Sequence, residues 1–308
     1  MSRLSDRKIV IIYRDTRLDE LIARHNTREQ VRFYLESRGQ CFSEYDDEDR
    51  RIKSAIKEVA LNMAELGRVQ MLERNFLPNF LFGQDDIPVV IGQDGLVANT
   101  LKYLRGQSVV AVNPLPDIFD GKLLPFELSE CFFAVRRIIQ KDSIHIRNIT
   151  MAVADFSDGQ SLLAVNDFYI GPKLPVSARY TIEFSGKSEQ QSSSGVIVST
   201  GLGMSGWMSS LIAGAEGLSG QRLNKIDIKW DDNALVFGVR EPFISRTTSA
   251  DIVYGRVDRG QKLVLTSHIP EGGVMFSDGI VQDSIEFNAG SSVSISVSPV
   301  VGRLAFTS

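Results

Sequence analysis

Histidine, cysteine and long apolar runs are all scarce in this chain, and each scarcity removes a class of function. The three histidines (His25, His145, His268) stand singly, and the two cysteines, Cys41 and Cys131, are far apart. A structural zinc and a disulfide framework are both disfavoured. No apolar run reaches the length that crosses a bilayer, and Met1–Lys8 is polar and charged, without the apolar stretch of a signal peptide. Lysine and arginine total 34 against 38 acidic residues, a formal charge of -4, and no polybasic block supplies a nucleic-acid footprint. Neither nucleic acid nor membrane is expected as a partner, and the chain reads as reduced, soluble and cytoplasmic.

What is present is enough apolar material for more than one core. Hydrophobic residues make up 43% of 308 residues, which favours two lobes. Ile9 to Tyr13 predicts a buried strand. Thr27, with Gln30 three residues on, has the form of a capping box, and Gly39 gives a stop after Arg38. From Asp46 to about Phe76 the positions Ile52, Ile56, Val59, Met63 and Leu66 recur at steps of three and four, the stripe of a long amphipathic helix bounded by Pro78. The acidic run Asp46, Asp47, Glu48, Asp49 falls at the start of that helix, where the dipole favours negative charge, and reads as a solvated first turn rather than a metal cluster. Ile87 to Ile91 and Ser108 to Val112 add short strands around a helix-spaced Leu96 to Arg105, so the first third predicts an α/β lobe with parallel pairing.

After Pro114, Pro116 and Pro125 the texture changes. Short runs rich in Val, Ile, Phe and Tyr, separated by Gly, Asn, Asp and Ser, cover 144–153, 161–170, 180–184, 196–199, 226–230, 235–239, 261–267 and 292–297, the spacing of an antiparallel β lobe. Gln190 to Ser194 is polar and serine-rich and reads as a mobile loop between two strands.

Three features in this frame carry chemistry. Gly92-Gln93-Asp94-Gly95 follows the strand Ile87–Ile91 and opens a helix, a place where glycines admit a ligand close to the backbone and helix amides receive phosphate oxygens; a plain connecting turn is the alternative. Asn166-Asp167 interrupts the strand-like run 161–170, although both residue types are depleted from strands. A bulge or turn would explain the pair; facing a cleft, Asn166 offers donor and acceptor and Asp167 two acceptors for ribose hydroxyls or an amide. Val196-Ile197-Val198 then leads through Ser199 and Thr200 into Gly201-Leu202-Gly203-Met204-Ser205-Gly206-Trp207 and a small-residue helix. That arrangement tolerates an anion on its backbone, with Ser205 as hydroxyl donor, unless the glycines serve only a hairpin or helix packing.

Taken in order, these features resemble the NAD kinase family over most of the chain, from about Ile87 to Phe306. The family's Gly-Gly-Asp-Gly-Thr turn is matched at Gly92, Asp94 and Gly95, and its Asn-Glu pair at Asn166 and Asp167. Its Thr-Gly-Ser-Thr-Ala-Tyr run is echoed from Leu202 to Trp207, where Gly203 is identical and Ser205 and Trp207 keep hydroxyl and aromatic character. Val112-Asn113-Pro114, Arg240-Glu241-Pro242 and Asp278-Gly279 are supporting likenesses. The resemblance implies an amino-terminal Rossmann-like α/β domain (1–125), a β-sandwich dinucleotide-binding domain (126–285) and a segment returning to the first domain (286–308). It also implies transfer of the terminal phosphate of ATP, or of polyphosphate, to the 2′-hydroxyl of NAD, with Mg²⁺ arriving on the donor phosphates and a homodimer or homotetramer as the assembly. Asp94 is then the catalytic base or hydroxyl-orienting group. Gly92, Gln93 and Gly95 line the phosphate approach, and Asn113, Asn166, Asp167, Gly203, Ser205 and Trp207 form the dinucleotide pocket.

Four departures bear on activity. Gln93 replaces a glycine, Leu96 a threonine and Met204 a serine, and Ser194 stands where some relatives carry an acid near the nicotinamide end. Two other readings therefore stay open: a dinucleotide-binding or regulatory protein that has lost donor handling, and a lipid or sugar kinase, since diacylglycerol and sphingosine kinases share a related glycine turn.

Overall fold

The computed structural model describes residues 3–306 and divides into two compact units. The first runs through β1 (Lys8–Tyr13), α1 (Arg17–His25), α2 (Arg28–Glu36), α3 (Phe42–Leu66), β2 (Arg68–Glu73), β3 (Ile87–Ile91), α4 (Asp94–Leu101), β4 (Ser108–Val112) and α5 (Leu128–Gln140). Its strands lie in the order β2-β1-β3-β4, every neighbour parallel. Ile87, Val89, Val90 and Ile91 are all buried, the near-continuous apolar run that a strand covered on both faces needs. One face packs the stripe Val59, Met63 and Leu66 of α3 together with Cys131, Ala134 and Val135 of α5. Burial pushes the Cys131 thiol up to about 12, so it is apolar filling and not a nucleophile.

The long helix ends earlier than its spacing predicts. It stops at Leu66, because Gly67 lies against Arg7, where a Cβ would come within 2.6 Å of the carbonyl oxygen, and the chain continues as β2 alongside β1. Local period could not see the pairing with β1 that captures residues 68–73. The acidic run also sits differently. The helix begins at Phe42, so the acids fall beyond its first turn, and Glu48 and Asp49 are buried. Glu48 pairs with Arg17, and Asp49 accepts from Thr16 Oγ1 (2.5 Å) and pairs with Lys53 (2.7 Å), tying α1 to α3. Thr16 with Asp19 forms the reciprocal capping box of α1, whereas Thr27 caps α2 only by accepting from the Gln30 amide.

The second unit is Asn148–Gly302. After β5 (His145–Phe156) come β6 (Ser161–Ala164), β7 (Asp167–Pro172), β8 (Ala178–Phe184), β9 (Lys187–Ser193), β10 (Val196–Ser199), α6 (Trp207–Ser219), β11 (Ala234–Val239), β12 (Tyr254–Asp258), β13 (Leu263–Ser267), β14 (Gly273–Ser277), β15 (Ile280–Glu286) and β16 (Ser292–Phe306). One antiparallel sheet has the order β12-β11-β10-β7-β14-β15. The second layer pairs β16, β13, β8 and β9 antiparallel, with β5 and β6 joined to it through β16. Phe168, Ile170, Val196, Val198 and Phe237 meet Tyr180, Ile182, Leu263, Leu265 and Ile295 in the core of this sandwich. The other face of the six-stranded sheet is covered by α6, with Met208 and Ile212 packed on Ile197 and Val236.

The boundaries differ from those the change of texture suggests. α5 follows the prolines yet packs on the first unit, which extends to Arg147, and β16 rejoins that unit only at Arg303, where Arg303 and Leu304 pair in parallel with Ser108 and Val109 of β4. Residues 226–230 form no strand. Gln190–Ser194, expected as a mobile loop, instead falls largely within β9, with Gln191, Ser192 and Ser193 buried. Their polarity is met internally: the Tyr180 hydroxyl donates to Gln191 Oε1 (2.9 Å) and shares a hydrogen bond with Ser193 Oγ (2.7 Å), and Gln191 Nε2 donates to the Ile252 carbonyl (3.1 Å). Tyr180→Phe leaves those two side chains short of a partner in the core and is expected to cost about 1–3 kcal/mol, read as a lower denaturation midpoint at unchanged m-value.

Candidate functional site

In the first unit the motif residues gather at the carboxyl ends of the parallel strands, where open α/β sheets bind ligands. β3 ends at Ile91, Gly92 donates to the Val112 carbonyl at the end of β4 (3.4 Å), and Gln93 is the N-cap of α4. Leu96 is buried within 3.1 Å of where a Cβ on Gly92 would lie, so it fills core space beneath the turn. Gln93 and Gly95 are exposed, and a Cβ on Gly95 would meet nothing within 4 Å. That combination leaves the backbone of the turn open to an approaching anion at Gln93 and Gly95.

Asp94 does structural work as well. Its Oδ1 accepts from the Leu123 amide (2.9 Å) and its Oδ2 from the Lys122 amide (3.2 Å), fastening the loop that follows β4. Asn113 shapes the same loop from its other end. The Asn113 side chain donates to the Phe119 carbonyl (3.0 Å) and accepts from the Leu115 amide (3.0 Å), so both ends of its amide are engaged within the chain. Gly121, with φ +62°, lets the loop turn back where a Cβ would press within 2.6 Å of Asn113 Nδ2. Arg51 of α3 grips Asp117 in the loop with two hydrogen bonds. A hollow of about 800 Å³ lined by residues such as Arg7, Lys8, Arg68 and Asp86 lies at the opposite, amino-terminal ends of β1 to β3 and contains none of these motif residues.

In the second unit Asn166 and Asp167 break the chain between β6 and β7, and the Gly203 turn packs against them. The Thr200 amide donates to the Asn166 carbonyl (2.9 Å) and Thr200 Oγ1 to the Val165 carbonyl (2.6 Å), while the Leu202 and Gly203 amides donate to Thr200 Oγ1. A Cβ on Gly203 would run into the Asn166 carbonyl. Asp278, in the turn between β14 and β15, accepts from the amides of Val165, Asn166 and Asp167. Ser205 is exposed, and Trp207, at the start of α6, is 39% exposed with one side against Tyr169 (ring centroids 5.7 Å apart) and Phe276 (6.1 Å). Tyr169 also borders a cavity of about 500 Å³ lined by Lys173, Ser194 and Arg240, and its hydroxyl donates to the Pro172 and Ser194 carbonyls.

Asp167 is the electrostatic anomaly. Burial, with the charge of Asp278 adding to it, raises its carboxyl from an ordinary 3.8 to about 7. Cross-strand from it on β10 is Ser199, whose buried hydroxyl has no hydrogen-bond partner. Sequence spacing marked Asn166, Asp167 and Gly203, and Thr200 at the head of the turn, but Thr200 takes its role through its hydrogen bonds to Val165 and Asn166, and Tyr169 and Phe276 come together only through strand pairing. Among the described residues no group of three His, Cys, Asp or Glu side chains is arranged to hold a metal ion, and no helix is long and apolar enough to cross a membrane.

Two predictions follow from this geometry. Because the folded chain holds the Asp167 proton to about pH 7 while the unfolded chain releases it near 3.8, the stabilising protonated state is lost as pH rises through that window. Asp167→Asn should abolish the decline, on the order of 3–4 kcal/mol, when unfolding free energies are compared between pH 4 and pH 8. The two glycines should separate as well. Gly95→Ala should leave thermal stability within about 1 kcal/mol of wild type, whereas Gly203→Ala should lower it by about 2 kcal/mol or more, as read by calorimetry.

No protein-family model matches this sequence, and no curated protein matches it. Solved structures do. The chain is similar to an NAD kinase from Archaeoglobus fulgidus in complex with ATP, at 16% identity and a TM-score of 0.57, covering 96% of this chain and 92% of that one. It is also similar to yeast NADH kinase complexed with NADH, at 12% identity and a TM-score of 0.62, covering 99% of this chain and 84% of that one. An α/β unit with a parallel sheet, followed by a β-sandwich unit and a final strand that pairs with β4, is thus an NAD kinase-like fold.

Proposed function

We propose that this chain is an NAD kinase-like phosphotransferase that moves the terminal phosphate of ATP, or of polyphosphate, to the 2′-hydroxyl of NAD. The observation that carries the reading is the open Gly92-Gln93-Asp94-Gly95 turn at the carboxyl end of β3, in a chain whose fold is that of an ATP-bound NAD kinase and an NADH-bound NADH kinase. Phosphoryl transfer passes through a loose transition state, so positioning and charge stabilisation supply most of the acceleration. In this reading Asp94 accepts a hydrogen bond from the 2′-hydroxyl and aligns its oxygen with the terminal phosphorus. The new O–P bond forms as the bond to the bridging oxygen breaks, the shortened donor leaves, and the hydroxyl proton passes to Asp94.

The loop amides of Lys122 and Leu123 donate one hydrogen bond to each Asp94 oxygen, and a carboxylate has further lone pairs for an incoming hydroxyl. Amides at Gln93 and Gly95 would meet the donor phosphates, with Gly92, its own amide held by the Val112 carbonyl, allowing the close approach and Mg²⁺ entering as part of the donor complex. Asn166 and Asp167 would hold the ribose and adenine edges, with Gly203, Ser205 and Trp207 around them. Asn113 would contribute through the shape of its loop.

The burial of Leu96, in the position of the family's threonine, favours a second reading in which the dinucleotide binds and the donor does not react. A coupled assay for NADP formation with ATP or polyphosphate and Mg²⁺ separates the two. Turnover is expected in the wild type, with Asp94→Asn lowering kcat by about 10²- to 10⁴-fold and KM for NAD changing little. Tight NAD binding in calorimetry without turnover under either donor would instead select the binding protein.

A further inference from the structure

Asp278 and Gly279 form the two-residue turn of the β14–β15 hairpin, between the paired residues Ser277 and Ile280. Both take positive φ, 55° and 74°, the left-handed geometry in which an Asp-Gly or Asn-Gly pair matches the twist of the strands. A hairpin turn needs nothing from the aspartate beyond that backbone. Here, however, its carboxylate leaves the hairpin. Oδ1 accepts from the amides of Asn166 (2.7 Å), Val165 (3.1 Å) and Asp167 (3.3 Å), Oδ2 accepts from Val165 as well (3.2 Å), and the Asp278 amide donates to the Asp167 carbonyl (2.9 Å).

Thr200 holds two of these residues as well, through the Val165 and Asn166 carbonyls. The backbone of the β6–β7 break therefore has its amides on a carboxylate and two of its carbonyls on one threonine, up to Asp167, where the pairing of β7 with β10 begins. We propose that Asp278 is a positioning residue for this site: by gathering the amides of Val165, Asn166 and Asp167 it sets the direction in which the Asn166 and Asp167 side chains meet a dinucleotide. The role rests on the dinucleotide reading above, and the geometry of the break does not.

The arrangement has an electrostatic consequence. Around Asp167 stand Ser199, its uncharged cross-strand partner on β10, and Asp278, whose carboxylate accepts from the Asp167 amide. Asp278 is the charged one whose field, added to burial, keeps Asp167 protonated to about pH 7. A protonated carboxyl donates a hydrogen bond where a carboxylate only accepts, so Asp278 adds to burial in setting what Asp167 offers a ligand.

Asp278→Asn is the clean variant, because Asn-Gly is at least as good a pair for this turn while the charge and one acceptor are lost. In the full chain without ligand, the Asp167 carboxyl followed by ¹³C NMR is expected to titrate lower by about one pH unit or more. NAD affinity by calorimetry at pH 7 is expected to fall about tenfold or more, with the midpoint of its pH dependence moving to lower pH. An unchanged Asp167 titration together with NAD affinity within about twofold of wild type would overturn the proposal. Uniform destabilisation with the titration unmoved would reduce Asp278 to a turn residue and overturn it too. Should wild type fail to bind NAD, the functional reading falls, and the carboxyl titration still decides whether Asp278 controls Asp167. Should Asp278→Asn fail to fold, the wild-type amide proton shifts of Val165, Asn166 and Asp167 decide: one shared midpoint on acidification supports the proposal, and three independent ones refute it.

Discussion

A backbone amide that leaves a β-ladder inside a protein must find another oxygen, and at both candidate loops of this chain the oxygen belongs to an aspartate. Asp94 accepts from Lys122 and Leu123 at the end of the parallel sheet, and Asp278 accepts from Val165, Asn166 and Asp167 at the interruption between β6 and β7. Charge-assisted hydrogen bonds to amides are among the stronger polar interactions available to a folded chain, and several to one carboxylate fix a loop that has no strand neighbour. The remaining features of each loop depend on that anchoring. Gly203 can press on the Asn166 carbonyl, and Gly121 on Asn113, only because the partner segment stays in place.

The two loops use their aspartates differently. At the first, the carboxylate is tethered yet partly accessible, beside two exposed backbone positions and above a buried Leu96. Such a site offers amides and a negative charge at the mouth of a parallel sheet, a combination suited to placing a hydroxyl near a phosphate. At the second, one carboxylate is spent on the backbone and raises the proton affinity of its neighbour. Beside it the exposed ring of Trp207 packs on the buried rings of Tyr169 and Phe276, with centroids 5.1 to 6.1 Å apart.

Similarity at 12–16% identity reaches the fold and stops there. What the fold leaves free is visible in the substitutions. Leu96 is core, packed beneath the turn where the family this chain resembles carries a hydroxyl residue, so that position serves packing. Gln93 caps α4 without a side-chain hydrogen bond to the helix, leaving its amide group facing solvent. The buried serines and Gln191 of β9 show the same freedom elsewhere: an edge strand can be polar and still buried if a tyrosine and a carbonyl satisfy it.

By itself the sequence determined the strands β3, β4 and β10 to the residue, the α/β and β-rich halves, and the stripe of α3, since each is written in local period and turn chemistry. It also marked Gly92, Asp94, Asn166, Asp167 and Gly203, because glycines beside a helix start and acids inside a strand run violate local preference. Tertiary structure decided the rest. β2 exists because β1 pairs with it, β9 is a strand because Tyr180 satisfies its side chains, α5 belongs to the first unit because its apolar face packs there, and Glu48 is buried because Arg17 neutralises it. Asp278 shows the division in one residue: Asp-Gly announces a hairpin, while the three amides its carboxylate holds come from a segment more than a hundred residues away. Local propensity acts over a few residues, and hydrogen-bond satisfaction and charge pairing act across space, so only the folded chain reveals which partners they find.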